Sequence, residues 1–105
     1  MSAKPRRART LRREQERKLS QLAQDRERLF RHEEGGTPER PIDVQAASVV
    51  EGHARSVPCP RCGGEHRVEE HAAVTVGGVR LREARLSCQR CGSRRSLWFR
   101  LPVLS

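Results

Sequence analysis

Two six-residue phrases hold all four cysteines of the chain: Cys59-Pro60-Arg61-Cys62-Gly63-Gly64 and Cys88-Gln89-Arg90-Cys91-Gly92-Ser93. Each reads Cys-x-Arg-Cys-Gly-small, and 25 residues (63–87) separate the two pairs. Two residues between cysteines let both sulfurs of a turn face one point. Thiolate is a soft ligand, and Zn²⁺ accepts four of them tetrahedrally. Gly63 and Gly92 suit the left-handed backbone that tightens such a turn and aims N–H groups at sulfur. Four thiolates on Zn²⁺ make a formally dianionic complex, which Arg61 and Arg90 inside the turns would partly offset. The expectation is one structural zinc per chain, held by Cys59, Cys62, Cys88 and Cys91. Disulfides or a redox dithiol are the competing chemistry, but no βαβ pattern of the thioredoxin kind surrounds the pairs. Iron in a four-thiolate site is a further alternative.

Four cysteine ligands close a metal site and keep no position open for water, so the reading is structural and not enzymatic. No catalytic residue is assigned: no nucleophile has a base beside it, and Glu69 and Glu70 are expected on opposite strand faces. His32, His53, His66 and His71 are read as polar strand or loop residues, since four thiolates leave no need for another ligand.

The rest of the chain explains why a metal is needed. At 105 residues there is room for one domain at most, and the content is 34% hydrophobic and 33% charged with two Phe, one Trp and no Tyr. That is poor material for a core, and modules of about 40 residues generally need disulfides, a metal or a partner to fold. No segment approaches the roughly 18 apolar residues of a membrane span. The basic N-terminus lacks the apolar run of a secretory signal. The expectation is therefore a cytoplasmic protein with no membrane association, where paired cysteines are ligands more often than disulfides.

Local signals place the elements. Residues 1–9 are a basic segment containing Pro5, expected to be disordered. Residues 10–34 lack Gly and Pro and are rich in helix formers, with Thr10 as cap and Gly35-Gly36 as stop. Their apolar stripe is too broken for a sustained coiled coil, so the helix reads as a weakly attached, recruitable arm. Residues 35–56 read as a linker, with 42–50 a possible short strand. From 57 to 105 the period becomes that of strands. Residues 65–76 put Val68, Ala72, Val74 and Val76 at even positions, Gly77-Gly78 suit a tight hairpin, and 79–87 shift phase between Leu81 and Ala84, as a bulge near Arg82-Glu83 would cause. Residues 94–101 alternate Leu97, Phe99 and Leu101, with Trp98 on the other face. The fold class is thus a small metal-stabilised β module, a three-stranded antiparallel sheet, preceded by a basic helix and linker. With its two Cys-x-x-Cys turns, the region 57–102 resembles the zinc-ribbon family, and the resemblance adds occurrence in transcription and translation machinery by analogy.

Two partner classes remain open. The net charge of +9 points to a polyanion, RNA or DNA, and also keeps a small protein dissolved. Eight Lys/Arg against two acids occupy the first 18 residues. Arg6, Arg7, Arg9, Arg12 and Arg13 there, with Arg94, Arg95 and Arg100 on the last strand, are the candidate phosphate contacts. Trp98 is the candidate for stacking on a base, or else a packing residue; Glu65, Glu69, Glu70 or Glu83 would neutralise the strand arginines as cross-strand pairs. The alternative is an adaptor in a larger protein complex, with the metal module as platform and the helix as docking element. A small-molecule substrate is not expected.

Overall fold

The computed structural model describes residues 7–103. Helix α1 (Ala8–His32) is followed by the two-residue strand β1 (Ile42–Asp43), a 3-10 turn (Ala47–Val49) and helix α2 (Val50–Ser56). Strands β2 (His66–Val76), β3 (Val79–Cys88) and β4 (Arg94–Arg100) complete the chain. The sheet order is β1-β4-β3-β2. β2, β3 and β4 pair antiparallel, but β1 pairs parallel to β4 through Ile42 and Phe99. The expected three-stranded antiparallel sheet is therefore a four-stranded mixed one.

Helix α1 begins two residues before the expected start. Arg7 occupies the cap position without a side-chain bond and Thr10 lies within the helix, so Thr10 does not cap it. Of the segment 1–9 expected to be disordered, residues 1–6 lie outside the described residues, and Ala8 and Arg9 are helical. At the other end the loop that follows is folded back onto the helix. Arg40 donates to the otherwise orphaned carbonyl of His32, and Gly35 donates its N–H to the Arg40 carbonyl at 2.5 Å.

The stretch 35–56, expected as a linker, contributes to the core. Val44, Val50 and Ala54 are buried with Phe30, Ala84, Leu86, Leu97 and Phe99. Only Ile42 and Asp43 of 42–50 form strand; Val50 and Ala54, four apart, then present one face of α2 to the sheet. His53 stands edge-on to Phe99, with ring centroids 5.5 Å apart.

Gly77 and Gly78 form the hairpin turn with φ of 56° and 79°, and Val76 pairs with Val79 across it. The bulge is not where the phase of β3 suggested. β3 is regular, and the register slips in β2 between Val68 and Glu70. His66 and Val68 therefore share a face with His71 and Ala73, while Ala72 and Val74 lie on the other. Leu81 breaks the phase of β3 because it faces that other side, opposite Val74, and is still buried. The slip also puts Glu69 and Glu70 on one side, each bonded to β3: Ser87 donates to Glu69 and Arg85 to Glu70.

Phe30 is the buried residue of α1. Most of the helix, about 37 Å long at 1.5 Å per residue, projects from the body, consistent with overall dimensions of 77 × 24 × 16 Å. No described helix is long and apolar enough to cross a membrane.

Candidate metal centre

Each cysteine pair sits on a turn with the same two backbone bonds. Cys59 N–H donates to Gly64 O and Gly63 N–H to Cys59 O, at 2.9 and 2.8 Å; Cys88 N–H donates to Ser93 O and Gly92 N–H to Cys88 O, at 2.9 and 3.0 Å. Gly63 and Gly92 have φ of 74° and 75°, the left-handed conformation the sequence asked for. The first turn precedes β2 and the second ends β3 and leads into β4. Pairing of His66 with Cys88 at the base of the hairpin brings the two turns face to face.

The four sulfurs all lie within 4.8 Å of one another. Cys59 Sγ is 3.7 Å from Cys91 Sγ, and Cys62 Sγ is 3.4 Å from Cys88 Sγ. A tetrahedral ion with bonds of about 2.3 Å separates its sulfurs by about 3.8 Å, so the cluster has the size of a four-thiolate shell. Backbone N–H groups aim at the sulfurs: Gly64 at Cys62, and both Arg90 and Cys91 at Cys88, at 3.3 to 3.4 Å. Gly64 has no room for a side chain. A Cβ there would stand 2.8 Å from Arg90 Cβ and 3.0 Å from Cys88 Sγ.

The thiols do not titrate alike. Burial pushes Cys59 up, but the Ser93 hydroxyl, the N–H groups of Arg61 and Cys62 and the Cys91 thiol outweigh it and bring the group down to about 6. For Cys62 the Gly64 N–H pulls down, while burial and the three neighbouring sulfurs push harder, to about 11. Cys88 is lowered, chiefly by the Cys91 N–H against burial. Four sulfurs this close resist ionising together, and a cation among them removes that resistance.

Beneath Cys59 lies a polar cluster that the sequence reading missed. Arg95 is buried, with 4% of its side chain exposed, and pairs with Glu27 of α1 through Nε and Nη2 at 3.1 and 3.0 Å. Its Nη2 also donates to Ser93 Oγ at 2.7 Å. Ser93 Oγ in turn lies 3.0 Å from Cys91 Sγ and 3.5 Å from Cys59 Sγ. His66, fully buried, donates from Nδ1 to Val57 O at 2.7 Å, which leaves Nε2 to accept from Arg95 Nη1. Burial pushes the Arg95 guanidinium down, and Glu27 and Cys59 more than restore it, so its affinity for a proton is raised. His66 is therefore a structural hydrogen-bonding residue and not a surface one. The signal available in sequence was the last residue of each phrase: Gly64 in one turn, the hydroxyl-bearing Ser93 in the other.

The candidate phosphate contacts separate sharply. Arg7, Arg9, Arg12 and Arg13 are exposed along α1 and Arg94 is exposed on β4; Arg6 lies outside the described residues. Arg95 is withdrawn from the surface. Arg100 is bound to Asp43 at 2.8 Å, which raises the guanidinium and lowers the carboxyl. The acids expected to neutralise the last strand do not do so: Glu70 and Glu83 contact Arg85, and Glu83 also accepts from Ser96. Trp98 is half-buried opposite Glu83, with its backbone N–H bound to Gly35 O. Comparison with family models, with curated proteins and with solved structures finds no match to this chain.

Proposed function

We propose that the protein is a non-enzymatic zinc-binding module of the zinc-ribbon kind that binds nucleic acid through helix α1. The observation that carries the nucleic-acid reading is the row of exposed arginines on the projecting part of α1. Arg9, Arg13 and Arg17 are successive fourth residues on one face, with Arg12 beside them, and all are exposed. Such a row suits phosphates, which supply affinity without sequence information. With Arg95 buried and Arg100 paired, the candidates left on the last strand are Arg94 and the half-exposed Trp98.

The zinc assignment rests on the all-sulfur donor set and the size of the cluster. It assigns the metal a folding role and makes a cytoplasmic, reducing setting the natural one. A second reading has its own observation. Leu11, Leu19, Leu22 and Leu29 of α1 are 44 to 67% exposed, a face that a protein partner would cover.

Binding of random-sequence RNA and DNA at two salt concentrations separates the two. The intact protein is compared with a variant carrying Gln at positions 9, 12, 13 and 17. Affinity that falls steeply with salt, and is weaker with a flatter salt dependence in the variant, supports nucleic acid. No binding at moderate salt rejects it in favour of the adaptor.

A further inference from the structure

We propose that Arg95 serves as the buried counter-cation of the metal centre and that, through Glu27, it ties occupancy of that centre to the docking of helix α1. The inference rests on three contacts made by one side chain. One edge of the guanidinium holds the carboxylate of Glu27 on α1. The same Nη2 reaches Ser93 Oγ, which touches the sulfurs of Cys59 and Cys91. Nη1 meets His66 Nε2, an uncharged acceptor fixed by the bond of Nδ1 to Val57 O. The plane of Arg95 also lies over Phe30, 5.9 Å from the ring centre, the side chain by which α1 enters the core.

The charges explain why this arrangement couples. A buried guanidinium needs compensation on every side that lacks water. Here it is flanked by one helix carboxylate and by a centre that is formally dianionic when four thiolates hold a divalent ion. Of Arg61 and Arg90, the cations the sequence offered for that role, Arg90 is exposed and donates to the Cys62 carbonyl, and Arg61 is half-buried. The Arg95 side chain is enclosed and directed at the centre from within through Ser93. Loss of the metal frees the sulfurs of Cys59 and Cys91 from their fixed positions, and with them Ser93 Oγ, which holds Nη2 of Arg95, and so weakens the anchor of α1. By reciprocity, whatever loosens Glu27 from Arg95 weakens the hold on the metal by the same factor. Outer-shell partners of metal ligands commonly matter by about 10- to 100-fold in metal affinity. The consequence for how the arginine row of α1 is presented rests on the nucleic-acid reading; the coupling itself does not.

Glu27→Gln tests it in the zinc-loaded full-length protein, because it is isosteric and leaves the cysteine turns untouched. Zinc affinity is measured by equilibrium competition with a chelator, and amide exchange is followed over 21–32 and over 66–88. The expected result is affinity lowered about tenfold or more, with exchange raised in 21–32 and protection kept in 66–88. Glu27→Asp keeps the charge on a shorter arm and is expected to fall between wild type and Glu27→Gln. Affinity within about twofold of wild type in Glu27→Gln overturns the coupling, and so does lowered affinity accompanied by loss of protection in 66–88, which is general destabilisation. If Glu27→Gln does not fold, the Asp variant decides by the same readouts. Wild-type protein that shows the coupling but binds neither RNA nor DNA overturns the nucleic-acid reading and leaves the coupling standing.

Discussion

Glu27 and Arg95 are 68 residues apart in the chain and joined by two hydrogen bonds of 3.0 and 3.1 Å, with the arginine almost wholly enclosed. This pair fixes α1 to the sheet beside the cysteine cluster. It turns a helix that looks like a free arm into one anchored at its C-terminal end and free along the rest.

The metal is expected to be required for the fold. Native mass spectrometry should find one zinc per chain, removed by chelator. Replacing any one of Cys59, Cys62, Cys88 or Cys91 by Ser should abolish the near-UV signal of Trp98, because in so small a module metal-binding free energy is largely folding free energy. A metal-free protein with an unchanged spectrum would refute the structural role.

Two glycine substitutions should act in opposite directions. Gly64→Ala places a methyl against Arg90 Cβ and Cys88 Sγ, where the two turns meet, and should lower metal affinity in a chelator competition. Gly52→Ala, in α2 with nothing within 4 Å of the new methyl, should stabilise the zinc-loaded protein by about 0.5–1 kcal/mol in chemical denaturation.

Anchoring of α1 by Phe30 should be costly to remove. Phe30→Ala takes a buried ring out of the core cluster, and a destabilisation of about 3–5 kcal/mol is expected. Exchange over 21–32 should rise even where the sheet remains folded. Unchanged exchange there would show that the ring does not hold the helix.

Metal affinity should depend on pH with a definite sign. Protons compete with the metal for sulfur, so affinity rises with pH through neutrality, where Cys62, held up at about 11, still gives up its proton on binding. Cys59, at about 6, is already a thiolate at neutral pH and becomes a further competitor only on the acid side. The slope of log affinity against pH should therefore steepen as pH falls through about 6. Chelator competition at stepped pH measures it, and a constant slope across that range would show that Cys59 is not lowered.

Neutralising Arg9, Arg12, Arg13 and Arg17 should flatten the salt dependence of nucleic-acid binding. On duplex DNA the log-log slope should fall by about 0.9 for each phosphate that no longer meets an arginine. Zinc release should stay unchanged, since these residues lie on the projecting part of α1. A variant that keeps the wild-type slope would place the phosphate-binding surface elsewhere.

What the sequence determined by itself is the chemistry that closes over a few residues. The spacing of Cys59 to Cys62 and of Cys88 to Cys91, each followed by a glycine, specifies a turn with both sulfurs on one side whatever surrounds it. Gly77-Gly78 likewise specify the hairpin, and the long run without Gly or Pro specifies α1. What only the tertiary structure decided are the relations between distant residues. Arg94 and Arg95 are neighbours of one type, yet one is exposed and the other enclosed, because alternation along β4 turns Arg95 toward the face where Glu27, Ser93 and His66 gather. The phase break in the hairpin has two formally equivalent explanations, and the slip falls in β2 at Glu69, where His71 and Ala73 can then face Ala84 and Arg82. Ile42 and Asp43 form a strand only because the edge of β4 is there to receive them in parallel. A sequence pattern fixes what each residue offers its neighbours along the chain; pairing, burial and charge compensation across the fold depend on which partners arrive, and those partners are dozens of residues away.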